Sequence, residues 1–182
     1  PESAGYRHSY DMLGEGARTM ADAERYFRSY AHAIERIGEA AKGGDVHAAP
    51  GISVKLSALH PRYEYAKRER VRTELVPKLL ELAEMAKAHD IGFTVDAEEA
   101  DRLEATPDVI ERVAAAPSLA GWDGFGLAVQ AYQKRAFPLI DWLAALAERT
   151  GRRLAVRLVK GAYWDTEIKR AQERGWTDYP VF

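Results

Sequence analysis

Cysteine is absent from the 182 residues, which excludes disulfide frameworks, zinc-finger spacings and thiol nucleophiles. Histidine is sparse. His8, His32, His47, His60 and His89 are scattered and form no HExxH or similar short-range pattern, so each reads first as a solvated or locally hydrogen-bonded side chain. An excess of one charge is also lacking: 26 basic residues face 28 acidic ones, for a formal charge of -2 and a pI near 6.3. That balance offers nucleic acid no basic surface. No apolar run approaches the roughly 20 residues needed to span a bilayer. The opening PESAGYRHSY has no signal-peptide apolar core, and the expectation is a soluble chain. Low-complexity segments, linkers and signs of a second domain are missing too.

What is present is an ordinary globular composition, 47% hydrophobic and 30% charged, with length enough for a substantial core. Four short apolar runs rich in strand-favouring residues stand out: GISVKLSAL (51–59), GFTVDAEE (92–99), GFGLAVQAY (124–132) and RLAVRLVKG (153–161). A fifth strand is expected within 7–13. Helical patterns fill the gaps, over about 20–42, 65–89, 99–115 and 134–149, with a last helix opening near Trp164. In the second of these, Val71, Leu75, Leu79, Leu82 and Met85 recur at three- and four-residue steps, and Pro77 is expected to kink or restart the helix. Gly43 and Gly44 are expected to end the first. Repeated β-α units imply a parallel sheet with right-handed crossovers. A (βα)8 barrel needs about 250 residues, so this chain holds either an open doubly wound sheet or roughly the first five units of a barrel.

Successive strand residues face opposite ways, so each run can be divided by parity. Ile52, Val54 and Leu56 oppose Ser53, Lys55 and Ser57; Phe93, Val95 and Ala97 oppose Thr94, Asp96 and Glu98. Phe125, Leu127 and Val129 oppose Gly126, Ala128, Gln130 and Tyr132; Leu154, Val156 and Leu158 oppose Ala155, Arg157 and Val159. Each strand thus has an apolar face suited to packing on helices, and a mixed face with one strongly polar residue late in the run. Those residues are Lys55, Asp96, Gln130 and Arg157. An unpaired guanidinium in an apolar layer costs several kcal/mol, so Arg157 implies a polar interior. If the mixed faces line a barrel, the four converge at matching depth near its C-terminal mouth, with Asp11 and Glu15 on the same rim. A buried ion network is the plain alternative. As chemistry, the two cations suit an anionic ligand, and Lys55 alone would suit a Schiff-base aldolase.

The strings SYDMLGE (9–15), GISVKLSALHPRY (51–63), DAEEADRLE (96–104), GFGLAVQAYQKR (124–135) and RLVKGAYWDTEIKRAQ (157–172) carry a resemblance. From about Tyr6 to Phe182 the chain resembles the FAD-dependent proline dehydrogenase domain of the bifunctional bacterial proline utilisation A family. The resemblance implies a (βα)8 TIM-type barrel of which residues 1–182 are the N-terminal part, with the remaining strands outside this sequence. It implies oxidation of L-proline to Δ1-pyrroline-5-carboxylate, the first step of proline catabolism to glutamate, by hydride transfer to FAD and onward passage of electrons to a membrane quinone. Lys55, Asp96, Tyr163 and Arg157 match catalytic positions. Asp11, Glu15, Lys55 and Tyr163 match the substrate pocket, with Lys55 on the substrate carboxylate. Gln130, Arg157, Val159, Lys160, Gly161, Ala162 and Trp164 match FAD contacts. No metal and no nucleic acid contact are implied. A C-terminal aldehyde dehydrogenase module and a cytoplasmic location, peripheral to the inner membrane, are implied for the full protein. Two other readings stay open. One is a catalytically incomplete barrel fragment. The other is a nicotinamide-dependent oxidoreductase, suggested by Gly14 and Gly16, although Thr19 replaces the third glycine of GxGxxG.

Overall fold

A computed structural model describes residues 5–12, 16–41 and 45–182. Gly14, Glu15, Gly43 and Gly44 lie outside the described residues. The elements run β1 (Ser9–Asp11), α1 (Met20–Ala40), β2 (Gly51–Val54), α2 (Leu56–Leu59), α3 (Arg68–Arg70), α4 (Val76–Ala88), β3 (Gly92–Val95), α5 (Thr106–Ala114), β4 (Phe125–Gln130), α6 (Ala136–Thr150), β5 (Ala155–Val159) and α7 (Trp164–Glu173). All neighbouring strands are parallel, in the order β1-β2-β3-β4-β5. Every crossover therefore returns the chain to the adjacent strand in the same direction. A doubly wound sheet reverses that direction at a switch point. The unbroken order is that of a (βα)8 TIM-type barrel, and the doubly wound alternative falls.

Local chemistry explains the helix boundaries. The α1 start is fixed by a capping box, in which the Thr19 hydroxyl accepts from the Asp22 N–H and the Asp22 carboxylate accepts from the Thr19 N–H. Pro77 sits in the first turn of α4, where its missing N–H is harmless. The turn before it, Val71–Leu75, widens to a π-helix, with the Val76 N–H reaching back to the Val71 carbonyl. The expected restart at Pro77 is thus made by a π-bulge.

The core lies between the outer face of the sheet and the helices. Ile52, Val54, Phe93, Val95, Phe125, Leu127 and Val129 are all buried there, against Tyr30 and Ile34 of α1, Leu79 and Leu82 of α4, Val109 and Val113 of α5, and Leu143 and Leu146 of α6. Each such side chain contributes about 1.5–3 kcal/mol on burial. On β5 the expected apolar packing face is instead open: Val156 and Leu158 are 46% and 60% exposed, because β5 is an edge of the described sheet. The strands are also shorter than the apolar runs. In 51–59 the strand stops at Val54 and the chain turns into α2, so Ser57 leaves the strand face assigned to it.

Gly126 marks the closest approach of two strands. A Cβ there would overlap the Ala155 carbonyl across the β4–β5 ladder. Gly126→Val is therefore expected to destabilise the protein by roughly 3 kcal/mol, the upper part of the range for overpacking. A urea unfolding midpoint equal to that of the parent would contradict this account.

Candidate active site

Lys55 follows β2 directly, and Asp96 follows β3. The ladder continues one step past the strands, since the Asp96 N–H donates to the Val54 carbonyl at 2.9 Å. With Val54 opposite Val95, Val95 opposite Leu127 and Ala128 opposite Arg157, this sets Lys55, Asp96, Ala128 and Arg157 in one row. Asp11 lies two residues toward the strand starts, opposite Ser53. Gln130 sits a further two residues toward the strand ends, opposite Val159, so the four polar residues are not at one depth. Three share a level and the fourth stands above them.

The charged groups form a chain of alternating sign. The Lys55 ammonium donates to both oxygens of Asp11 at 2.9 Å and to Asp96 Oδ2 at 2.9 Å. The other Asp96 oxygen accepts from Arg157 Nη2. From β5, Arg157 reaches across the interior to Ser53 Oγ at 3.0 Å and Ser9 Oγ at 3.3 Å. Here is the partner that a guanidinium in an apolar strand requires. Burial pushes the Lys55 pKa down, but the hydrogen bonds and charges of Asp11 and Asp96 outweigh it and raise the value above the ordinary lysine range. Lys55 is thus held as an ammonium, which is the state that attracts an anion and the opposite of what an aldolase nucleophile needs.

A second set of buried groups fixes the backbone around these charges. The Tyr30 hydroxyl on α1 accepts the Lys55 N–H at 3.2 Å, and burial pushes its pKa up to about 12. Glu98 Oε1 accepts the Ser57 N–H at 3.0 Å, and burial raises its pKa despite that bond. The Glu98 carbonyl accepts from Gln130 Nε2 at 2.8 Å. Gln130 Oε1 accepts from the Ala162 N–H and from the Tyr132 hydroxyl, both at 3.1 Å. The Tyr132 hydroxyl in turn accepts the Tyr163 N–H at 3.1 Å. One path of hydrogen bonds therefore ties the turn after β2 to the turn after β5.

That last turn is where a planar group could lie. Gly161 has φ of +126°, a left-handed conformation that disfavours any side chain, and a Cβ would collide with the Tyr132 ring. The close approach that demands glycine is thus to an aromatic ring of the protein itself. Val159 and Tyr163 are half-buried, while Lys160, Ala162 and Trp164 are exposed. Trp164 is anchored by its indole N–H, which donates to the Phe182 carbonyl at 2.7 Å. A partly exposed cation at Arg157, an open turn and an exposed indole fit a flat ring that gains negative charge. Gln130 fits differently: it is buried and both ends of its amide are engaged by protein, which gives it the work of shaping the turn.

The structure thus brings Asp11, Lys55, Asp96 and Arg157 together, and joins Gln130 to Ala162 and Tyr163 through Tyr132. Glu15 lies outside the described residues. Sequence reasoning missed Tyr30, Ser9 and the supporting roles of Glu98 and Tyr132. For Glu98 the signal was there, a carboxylate two residues beyond Asp96 on the same parity. For Tyr30 there was none, because it lies mid-helix among apolar residues. Among the described residues no group of histidines and carboxylates could hold a metal ion.

Comparisons with known proteins identify the family and the fold. The family described as Proline dehydrogenase matches residues 1–182. The chain is 56% identical over 181 residues to the bifunctional protein PutA of Salmonella typhimurium, an alignment that takes in 100% of this chain and 14% of that protein. Among solved structures, a mutant of Bradyrhizobium japonicum proline utilization A superposes with a TM-score of 0.94 at 68% identity, over 98% of this chain and 18% of that one. Proline utilization A from Bdellovibrio bacteriovorus, inactivated by N-propargylglycine, gives a TM-score of 0.90 at 26% identity, over 100% of this chain and 20% of that one.

Two outcomes are expected. Glu98→Ala leaves the Ser57 N–H without its buried acceptor and lowers stability by about 1–3 kcal/mol, whereas Glu98→Gln keeps an acceptor oxygen and recovers most of it. Equal unfolding midpoints for the two variants would show that the Ser57 bond contributes little. For Lys55, the folded value lies above the unfolded 10.5, so its charge contributes fully below pH 10.5 and the contribution falls as pH rises through the folded value. The melting-temperature difference between the parent and Lys55→Met should stay constant from neutral pH to about pH 10. A difference that changes with pH below pH 9 would mean that Lys55 titrates as a depressed lysine.

Proposed function

The chain belongs to the proline dehydrogenase family, and from that premise we propose that it supplies the first five β-α units of an FAD-dependent barrel that oxidises L-proline to Δ1-pyrroline-5-carboxylate. The observation that carries this reading is the row of Lys55, Asp96 and Arg157 at the strand ends, beside the exposed turn from Val159 to Trp164. Lys55 takes the substrate carboxylate, because it is the buried cation of the site. Asp96 holds both cations in place and Tyr163 lines the pocket. Val159, Lys160, Gly161 and Ala162 would present backbone to the cofactor, Trp164 would offer it an aromatic face, and Gln130 keeps the turn in shape. When bound, the flavin supplies the hydride acceptor.

In L-proline the C–H bond next to nitrogen breaks with both electrons leaving as hydride. The ring ammonium first gives one proton to water, which frees the nitrogen lone pair to close the C=N bond, and the remaining N–H proton then passes to water. The residues described here act on either side of that step. Lys55 fixes the carboxylate, and with it the face of the ring that is presented. Arg157, with a side chain 37% exposed, lies where positive charge offsets the negative charge delivered. We further propose that the electrons pass to a membrane quinone and that the full protein acts from the cytoplasm at the inner membrane, with an aldehyde dehydrogenase module following the barrel. Only about a seventh of the length of the curated relatives is spanned by this chain, which fits a protein with further modules.

Full-length protein containing this chain is expected to show a bound-flavin absorbance spectrum that bleaches when L-proline is added without oxygen. Arg157→Met should slow that bleaching by roughly a hundredfold, the scale on which removal of one charge-stabilising donor acts. Bound flavin that stays oxidised with proline, or unchanged reduction in the variant, would overturn the assignment.

A further inference from the structure

Tyr132 takes no part in the chemistry of the site, yet it grips the turn after β5 at three points. It follows β4, a strand paired on both sides, and is buried. Its N–H donates to the Lys160 carbonyl at 3.2 Å. Its ring fills the space where a side chain on Gly161 would stand. Its hydroxyl accepts the Tyr163 N–H at 3.1 Å and donates to Gln130 Oε1 at 3.1 Å. The direction of that chain is fixed at both ends. The Ala162 N–H can only donate and the Glu98 carbonyl can only accept, so the Gln130 amide has one possible orientation, with Oε1 toward Ala162. Facing an acceptor, the Tyr132 hydroxyl must give its one proton to Gln130, which leaves a lone pair for the Tyr163 N–H. Tyr163 immediately precedes α7, and the first N–H groups of a helix have no partner within it.

We propose that Tyr132 is a positioning residue for Tyr163: its hydroxyl sets where the Tyr163 side chain stands, and through it how tightly the pocket holds a ring carboxylate. This rests on the assignment of Tyr163 to the pocket wall. The ring and the hydroxyl of Tyr132 divide the work. The ring packs against Gly161 and gives the turn its shape, whereas the hydroxyl fixes the single backbone group from which the Tyr163 side chain departs. No other side chain of the path can take over that bond, since Gln130 Oε1 already accepts from Ala162 and from Tyr132 itself. Without the hydroxyl, the Tyr163 N–H finds an acceptor only if the backbone moves, and the side chain moves with it. Acid-base chemistry is not the role. Burial raises the Tyr132 pKa above the ordinary tyrosine value, so the group stays neutral and keeps its proton on Gln130.

Tyr132→Phe keeps the ring against Gly161 and removes only the hydroxyl. Cyclopentanecarboxylate reports on the pocket without being oxidised, because it has the ring and the carboxylate but no nitrogen to close a C=N bond. Calorimetric titration of the full-length flavoprotein is expected to show Tyr132→Phe binding this probe about tenfold more weakly than the parent, the scale of one lost hydrogen bond. In proline oxidation the loss should fall on KM and not on kcat. The deciding comparison is a background of Tyr163→Ala, where the side chain being placed is gone. There Tyr132→Phe should change probe affinity by less than about twofold. An equal loss in both backgrounds overturns the proposal, since the hydroxyl would then support the fold at large and not act through Tyr163. Unchanged probe affinity in the single variant, loss of its flavin, or a parent that does not bind the probe overturns it as well. Because heat is the readout, these outcomes are separate from the bleaching of the flavin by proline, which alone decides the reaction.

Discussion

The buried ammonium of Lys55 is the constraint around which the interior is arranged. Charge at that depth persists only with close partners, and Asp11 and Asp96 supply them from the strands on either side. Asp96 then has a second oxygen to satisfy, and Arg157 reaches it from two strands further along. Arg157 in turn needs the hydroxyls of Ser9 and Ser53. Each polar residue is the reason for the next. The result is a network that pulls β1, β2, β3 and β5 toward one point in a sheet whose outer face is otherwise uniformly apolar.

Holding charges at fixed distances requires a backbone that does not drift, and side-chain hydrogen bonds to backbone N–H groups do that work. Tyr30 and Glu98 bind the N–H groups of Lys55 and Ser57 in the turn after β2, one from helix α1 and one from the loop after β3. Gln130 and Tyr132 do the same for the turn after β5. Buried Glu167 on α7 adds a further tie by accepting the Ala100 N–H at 2.8 Å. Such bonds add only about 1 kcal/mol each when made, yet leaving a buried donor unpaired costs more than that. This asymmetry keeps the loops in register with the strands.

Much of this was legible from two periods. The alternation of residues along the strands placed Lys55, Asp96 and Arg157 on one face, and the alternation of strands with helices implied the parallel order. Both are geometric necessities of the backbone, so they survive without knowledge of the contacts. Strand length was not legible. Leu56, Ser57, Ala58 and Leu59 read as a continuation of β2, but no partner strand extends that far, and the chain coils into a turn once the ladder ends. The relative depth of Gln130 was hidden for a related reason, since depth depends on register and register on which residues pair. Glu98 and Tyr30 were hidden because a hydrogen bond between loops leaves no periodic mark. Gly161 stood out only as a cofactor-contact position, and the crowding that requires glycine there comes from Tyr132, which only the folded turn brings near.

The charge balance of the row together with Asp11 below it bears on what the site can accept. Asp11, Lys55, Asp96 and Arg157 sum to no net charge, so no strong field draws anions in general toward the mouth. What the row offers is an ordered sequence of signs at spacings set by the sheet, and a ligand is favoured to the degree that its own charges repeat that order. Anions bind readily to an excess of positive charge, and such a site discriminates poorly among them. Cations already matched to carboxylates discriminate well, because every ligand must first better the contacts it displaces. Lys55 meets Asp11 and Asp96, and Asp96 meets Lys55 and Arg157, so a ligand here must better contacts that are already close and opposite in sign.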